Sequence, residues 1–442
     1  MNGVEWRNWA GNQSARPQEA VSPKTVEEVR RTVFHAGETG LRVKCVGAGH
    51  SFTSIAVTDG ILVDLDRLQG IESVVPMPDG SASVTVFAGT RLRALNAWLW
   101  DLGLAMTNLG DIDEQSIAGA ISTGTHGTGR RFGGIATQVQ ALEMVTADGS
   151  VVTCSRDSEP DMFDAARVGL GALGIITKVT LRCEPAFALH AVEAPSTLTG
   201  TLSSLPDVVE QTDHFEFYWF PHTDRVLTKT NTRLPADSPL APLGRVRAYL
   251  DDELLANRAF EIVNRAVTRF PAAIPRVNAF SSRALSAREF TDRSYRVFAS
   301  SRTVRFREME YAVPAESITY VVREVDRWLQ SSGFAVAFPV EVRFAAADDI
   351  WLSTANGRDS AYVAVHQYHR REHREYFDAV EKIARSVGGR PHWGKLHSQT
   401  ANDFAEMYEH FGDFVAMRDK LDPGGMFGNE YLAAALHVSR NV

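Results

Sequence analysis

The chain has 442 residues, too long for one hydrophobic core of ordinary size, so two domains are expected. Its composition, 44% hydrophobic and 23% charged, is that of a globular protein, and a formal net charge of -8 argues against a nucleic-acid function carried by overall charge. Three cysteines without a CxxC spacing, Cys45, Cys154 and Cys183, give no disulfide framework and no zinc signature, and they fit a reducing cytoplasm.

The N-terminal stretch from Met1 to Arg7 has no apolar signal core. No window reaches the roughly 18 apolar residues that span a bilayer, so a soluble cytoplasmic protein without an integral membrane segment is expected. A helix is predicted over 22–36, with Thr25 as cap, Glu28 completing a capping box, and Val26, Val29 and Val33 on one face. A strand, Leu41 to Cys45, leads into the glycine run Val46-Gly47-Ala48-Gly49-His50-Ser51-Phe52. Strands follow at 60–65 and 82–89, then a helix over 92–101. The segment 116–129 is small and glycine-rich. Strands at 139–146 and 151–153 flank Asp148-Gly149 and read as a hairpin. The run 172–181 closes this α+β unit. Composition shifts near Glu184-Pro185. Beyond it lie an aromatic strand at 214–221, a polar, proline-containing stretch at 234–245, strands at 304–313 and 337–344, and a helix at 315–331. The last fifty residues begin Pro391-His392-Trp393-Gly394-Lys395 and continue as helix.

Two glycine-histidine runs carry the chemistry. Glycines one residue apart let the backbone approach a phosphate, because no Cβ is in the way. The second run is Ser122-Thr123-Gly124-Thr125-His126-Gly127-Thr128-Gly129. A Rossmann fingerprint fits the first run poorly: the third glycine is absent, and the next segment turns into strand rather than a long helix. A plain β-turn is the other reading, and a second such run makes either harder to hold.

Together with Ala118-Gly119, Leu170-Gly171-Ala172-Leu173-Gly174-Ile175, Glu341-Val342-Arg343 and His392-Trp393-Gly394-Lys395, these runs resemble the vanillyl-alcohol-oxidase family of FAD enzymes. Within it the chain is similar to the sugar-1,4-lactone oxidoreductase branch, which includes the gulonolactone and arabinonolactone enzymes and is related to the alditol oxidases. The resemblance implies an α+β fold: a PCMH-type FAD-binding domain over 1–185, an antiparallel-sheet cap (substrate) domain over 186–390, and a segment 391–442 returning to the FAD domain. It also implies FAD, with His50 where the family often carries a covalent bond to the flavin. The cofactor-binding residues it implies are Val46, Gly47, Ala48, Gly49, His50, Ser51, Phe52, Gly110, Asp111, Ser116, Gly119, Ser122, Gly124, Thr125, His126, Gly127, Ile175 and Lys395. No metal is expected.

The catalytic residues implied are Glu341, Arg343, Lys395 and His366. On a strand Glu341 and Arg343 share a face; the plainer reading is a surface ion pair. Lys395 is singled out by its place after His392-Trp393-Gly394. His366 lies in an alternating strand with Tyr368, and a packed core histidine is its plainer reading. Tyr368 replaces a small hydroxyl residue of the alditol oxidases, which leans toward a lactone ring. Gly110-Asp111 stands where those enzymes carry Ala-Ser. The glycine favours access of O2, although another electron acceptor stays open. The expected activity is FAD-dependent oxidation of an aldono-1,4-lactone, a small polyhydroxylated molecule, by hydride transfer. The alternatives are an alditol or xylitol oxidase, a flavin-binding protein without turnover, and a Rossmann dehydrogenase.

Overall fold

The computed structural model describes residues 5–244, 260–283, 285–300 and 304–437. Met1 to Val4 of the N-terminal stretch and residue 245 of the polar stretch lie outside them. The first helix is Val26–Thr39, with Val29, Val33 and Ala36 buried. The Thr25 side chain accepts from the Glu28 N–H as expected. The return bond of the capping box is displaced by one residue: the Glu28 carboxylate reaches past Thr25 and accepts from the Lys24 N–H at 2.7 Å.

Val43–Val46 leads into the first glycine run and pairs in parallel with Ile61–Asp64, which also pairs in parallel with Glu19–Val21. No helix connects Val43–Val46 to Ile61–Asp64; residues 47–60 are loop. This excludes the Rossmann reading, which needs a helix directly after the glycines. A second, antiparallel sheet has the order Val151–Ser155, Val139–Val145, Ile175–Pro185, Ala82–Phe87, Ile71–Pro76. Its Val139–Val145/Val151–Ser155 hairpin turns at Gly149, whose φ of +77° needs a glycine.

The other large sheet has eight strands. Their order is Arg288–Arg293, Phe187–Ser196, Arg225–Pro235, His214–Phe220, Val340–Ala345, Ser360–Tyr368, Phe306–Pro314, Arg390–Pro391, and all neighbours run antiparallel. Val340–Ala345 starts later than the sequence reading placed it, because Pro339 has no N–H to give the ladder. One face packs Phe217, Trp219, Val342, Val363, Val365 and Tyr311 against helices Leu198–Gln211, Ile318–Ser332 and Arg374–Arg385 in a single core. Each such large side chain contributes about 1.5–3 kcal/mol by leaving water. The alternate positions of the same strands face the first unit, and they are largely polar.

The C-terminal stretch packs on the first unit. Trp393, Phe404, Phe411, Phe414 and Leu432 share a core with Val29, Val63 and Leu95. The Val43 N–H donates to Met426 O at 2.8 Å, and Asn429 Nδ2 donates to the carbonyls of Ser54, Ile55 and Val57, each at 3.0 Å.

Candidate active site

The strand Val43–Val46 delivers the glycine run to the wall of a cleft holding about 1030 Å³ of empty space, part of it open solvent. Val46, Gly47, Ala48, Gly49, His50 and Ser51 line it, opposed by Ser116, Gly119, Ser122 and Ile175. Gly47 is forced by geometry: a Cβ there would lie 2.5 Å from Ser116 Oγ. Gly49 has φ +68°, and a Cβ on it would meet the Asn8 backbone at 3.4 Å. Such a backbone-walled cleft fits FAD, whose diphosphate needs N–H donors and close approach. Lys44 was not singled out by the sequence reading. Its buried ammonium lines the same cleft and donates to Gly171 O (3.1 Å) and Phe427 O (3.0 Å), and burial pulls it down to about 8.

A second compartment, with about 710 Å³ of empty space that likewise includes open solvent, adjoins the first and shares His50, Ser51, Gln115 and Thr123 with it. Phe52, Asp111, Thr125, His126, Glu341, Arg343 and Lys395 line it. His50 thus stands at the junction. Its ring stacks on Trp9 at 5.4 Å. Burial, then the charges of Lys395 and Arg91, push it down to about 4, so the imidazole is neutral at pH 7.

Gly110, Gly124 and Gly127 line neither space. Gly124 has φ +75°, and a Cβ on Gly127 would lie 2.1 Å from Leu109 O. A Cβ on Gly110 would point at Thr125 Cγ2 (3.1 Å) and His126 O (3.2 Å). These glycines shape the loops behind the compartment.

Arg343 is buried among three carboxylates. Its Nε donates to Glu216 Oε2 at 3.1 Å, Nη2 lies 3.2 Å from Asp111 Oδ2, and Nη2 is also paired with Glu341. Burial works against the charge, but Asp111, Glu341 and Glu216 outweigh it and hold the guanidinium well above its ordinary range. Lys229 supports Glu216 from the far side at 3.3 Å. The register explains the grouping: Glu341 pairs with Tyr218 on one neighbour and with Ala364 on the other, and Ala364 pairs with Glu310.

Lys395 pairs with Glu308, whose other oxygen lies 3.4 Å from His366 Nε2. Burial alone would raise the Glu308 carboxyl, but Lys395 and His366 bring it down to about 2. Burial likewise works against Lys395, and Glu308 and Glu310 carry its ammonium above the ordinary value. His366 stands one layer behind the compartment, with its Nδ1–H donating to Pro339 O at 3.2 Å. Tyr368 lies outside the compartment: its ring packs with Phe306 and Phe338, and its hydroxyl donates to Glu261 at 2.7 Å. Tyr368 therefore does not face the compartment and cannot select a lactone ring over a linear polyol there.

His126 is held by the cap. The Gly129 N–H donates to Phe344 O at 2.8 Å, and the Phe344 N–H donates to Thr128 Oγ1 at 3.2 Å. These bonds bring His126 against Glu310 (3.2 Å) and onto the Tyr362 ring (3.5 Å). His126, Glu310 and His392 put ligand-type atoms within 4.8 Å of one another. Hydrogen bonding opposes a metal there. The Gly394 N–H occupies the His392 Nδ1 lone pair at 3.0 Å. Burial holds that ring neutral, down at about 4, so its proton sits on Nε2 and neither nitrogen is free to ligate.

Glu216, Glu308 and Glu310 lie in no sequence motif, and His392 stands in one without an assigned role. The available signal for the glutamates was charge on alternate residues of strands whose other residues are core, as in Glu308-Met309-Glu310-Tyr311.

A glycine-walled dinucleotide cleft joined to a charged compartment under an antiparallel cap defines an FAD-dependent oxidoreductase acting on CH–OH groups. The family described as FAD binding domain matches residues 17–155, and that described as D-arabinono-1,4-lactone oxidase matches residues 179–435. L-gulono-1,4-lactone dehydrogenase of Mycobacterium tuberculosis (strain ATCC 25618 / H37Rv) is 42% identical over 431 residues, covering 98% of this chain and 99% of that protein. L-gulonolactone oxidase of Bos taurus is 36% identical over 439 residues, covering 97% and 98%. A cholesterol oxidase structure from Brevibacterium sterolicum superposes with a TM-score of 0.81 over 98% of this chain and 97% of that one; at 19% identity it shows the fold alone. The chain belongs to the D-arabinono-1,4-lactone oxidase family.

Proposed function

We propose that the protein oxidises an aldono-1,4-lactone, with L-gulono-1,4-lactone as representative, at a ring carbinol beside the lactone carbonyl. The electrons pass to O2 or to another acceptor. In this reading residues 1–185 bind FAD, 186–390 form the cap, 391–442 return to the FAD domain, and the protein works in the cytoplasm. One observation carries it: Glu341, Arg343 and Lys395 of the cap and C-terminal stretch converge on the compartment that His50 shares with the cofactor cleft.

Bound FAD supplies the hydride acceptor at flavin N5. The chain's own residues bind, orient and stabilise. Arg343 and Lys395 are two fixed cations on one small compartment. Aimed at the carbinol oxygen, they favour its alkoxide character as the hydroxyl proton passes to water, while the hydride leaves for the flavin. Glu341, Glu216 and Asp111 hold the Arg343 fork in one direction. These carboxylates match Arg343 and Glu308 matches Lys395, so a neutral hydroxyl-rich ring suits the compartment better than a carboxylate-bearing open chain. The names of the relatives reported above point to lactones, which favours this reading over an alditol oxidase. The built cation set speaks against a flavin carrier without turnover.

The test is an anaerobic titration of purified protein with L-gulono-1,4-lactone, following the visible flavin band, with xylitol in a parallel cuvette. Bleaching by the lactone is expected, and readmitted air then reads the acceptor. Bleaching by xylitol alone moves the function to the alditol branch.

A further inference from the structure

We propose that Glu308 is a positioning residue: one carboxylate oxygen aims the Lys395 ammonium into the substrate compartment, and the other ties in His366. The proposal rests on the lactone-oxidising reading of that compartment.

Glu308 and Glu310 are alternate residues of Phe306–Pro314, so both stand on the face opposite the Met309, Tyr311 and Val313 core. A buried carboxylate on that face is costly unless it is paired. Glu308 is paired twice, with Lys395 on Oε2 and with His366 at 3.4 Å from Oε1. The backbone sets this register. The His392 N–H donates to Glu310 O and the Leu396 N–H to Glu308 O, both at 3.0 Å, so 392–396 is fastened on either side of Lys395. Lysine is a point charge on a flexible four-carbon stem, and it has no direction of its own. The Phe52 ring, its centroid 5.3 Å from Nζ, lies against the ammonium on one side, while Glu308 pairs with it directly and fixes its direction.

The charged and titratable groups facing Lys395 are Glu308 and Glu310 from the cap strand, Asp111 from the loop 108–113, His50 from the glycine loop and His392 from its own loop. Histidines 50 and 392 are held neutral, so Lys395 owes its charge to the carboxylates, and Glu308 is the one in contact. His366 lines neither space, so Glu308 is its route to the chemistry.

The experiment compares flavin-loaded wild type, Glu308→Gln, Glu308→Asp, Lys395→Met and the Glu308→Gln/Lys395→Met double variant. Glutamine keeps the shape and removes the charge. Glu308→Gln is expected to fold and retain its flavin, with a lowered melting temperature because the largely buried Lys395 loses its contact partner. Its anaerobic bleaching by L-gulono-1,4-lactone slows about tenfold or more. The basic limb of its pH–rate profile moves down by about one pH unit or more, because burial then acts on Lys395 with less opposition. Glu308→Asp recovers part of the rate, and the double variant is no slower than Lys395→Met. A profile superimposing on wild type, or a double variant slowed by the product of the single effects, overturns the proposal. If the lactone does not bleach wild type, the substrate reading has failed and the resting enzyme decides. The pH at which the visible flavin band titrates must then fall in Glu308→Gln, and an unmoved titration overturns the proposal.

Discussion

Gly47→Ala tests the cofactor cradle, and the geometry fixes its outcome. The new Cβ would stand 2.5 Å from Ser116 Oγ, closer than real carbon atoms approach oxygen. Ser116 cannot simply turn away, because its hydroxyl caps helix Ile117–Ser122 by accepting from the Gly119 N–H at 3.3 Å. Overpacking of this kind costs about 1–3 kcal/mol, and a lost cap costs about 1 kcal/mol. Both fall on the two loops that wall the cleft, so FAD affinity drops by roughly 30- to 1000-fold. The measurement is flavin binding by fluorescence in a His50→Ala background, where no bond to the imidazole can hold the cofactor. Ser116→Ala supplies the control. It removes Oγ and leaves Ser116 Cβ at 3.5 Å, an ordinary contact. Gly47→Ala/Ser116→Ala should therefore bind FAD about as well as Ser116→Ala alone. Losses that simply add in the double variant would refute the steric argument, as would a Gly47→Ala protein that binds FAD like its parent.

Three further outcomes are expected. Acid-precipitated wild-type protein keeps its yellow colour and His50→Ala releases it; colour lost from both denies the covalent bond. Stability falls as pH drops from about 6.5 toward 4, because buried His214, His392 and His397 have folded values of about 4, so the unfolded chain binds the protons first. Each histidine contributes a slope of up to about 1.4 kcal/mol per pH unit, and a melting temperature flat over that range removes the argument. Gly110→Ala presses on Thr125 and His126 at 3.1 and 3.2 Å. The new Cβ points behind the compartment, so reduction by the lactone and stopped-flow reoxidation should slow to a similar degree, and reoxidation slowed alone would overturn this placement of Gly110.

The parts of the molecule legible in the sequence are those built from contiguous residues. The first helix, the Asp-Gly hairpin and the two glycine runs all declare themselves within a short window, and the structure puts them close to where the sequence placed them. The strands Phe187–Ser196, Arg225–Pro235 and Arg288–Arg293 were not anticipated. Val192 and Thr228–Thr230 show why: the sheet's middle-to-edge strands are only partly covered, so their apolar alternation is weak. The substrate compartment was legible only where a family motif marked it. Glu341 and Arg343 are two residues apart and could be read as a pair. Their partner Glu216 is 127 residues from Arg343, and Glu308 is 87 residues from Lys395. Cross-strand register joins the first pair, and backbone bonds that fasten the loop 392–396 to Phe306–Pro314 join the second; both are properties of the folded sheet. A rule does follow for strands of this kind. When every other residue is core, as Phe215, Phe217 and Trp219 are, a charged residue between them lies on the opposite face. If that face is also covered, the charge is buried and needs a partner. Glu216, Glu308, Glu310 and Glu341 all meet that condition, and each is in fact buried. A glutamate alternating with core residues on a central strand is thus evidence for a hidden partner: here Arg343 for Glu216 and Glu341, Lys395 for Glu308, and His126 for Glu310.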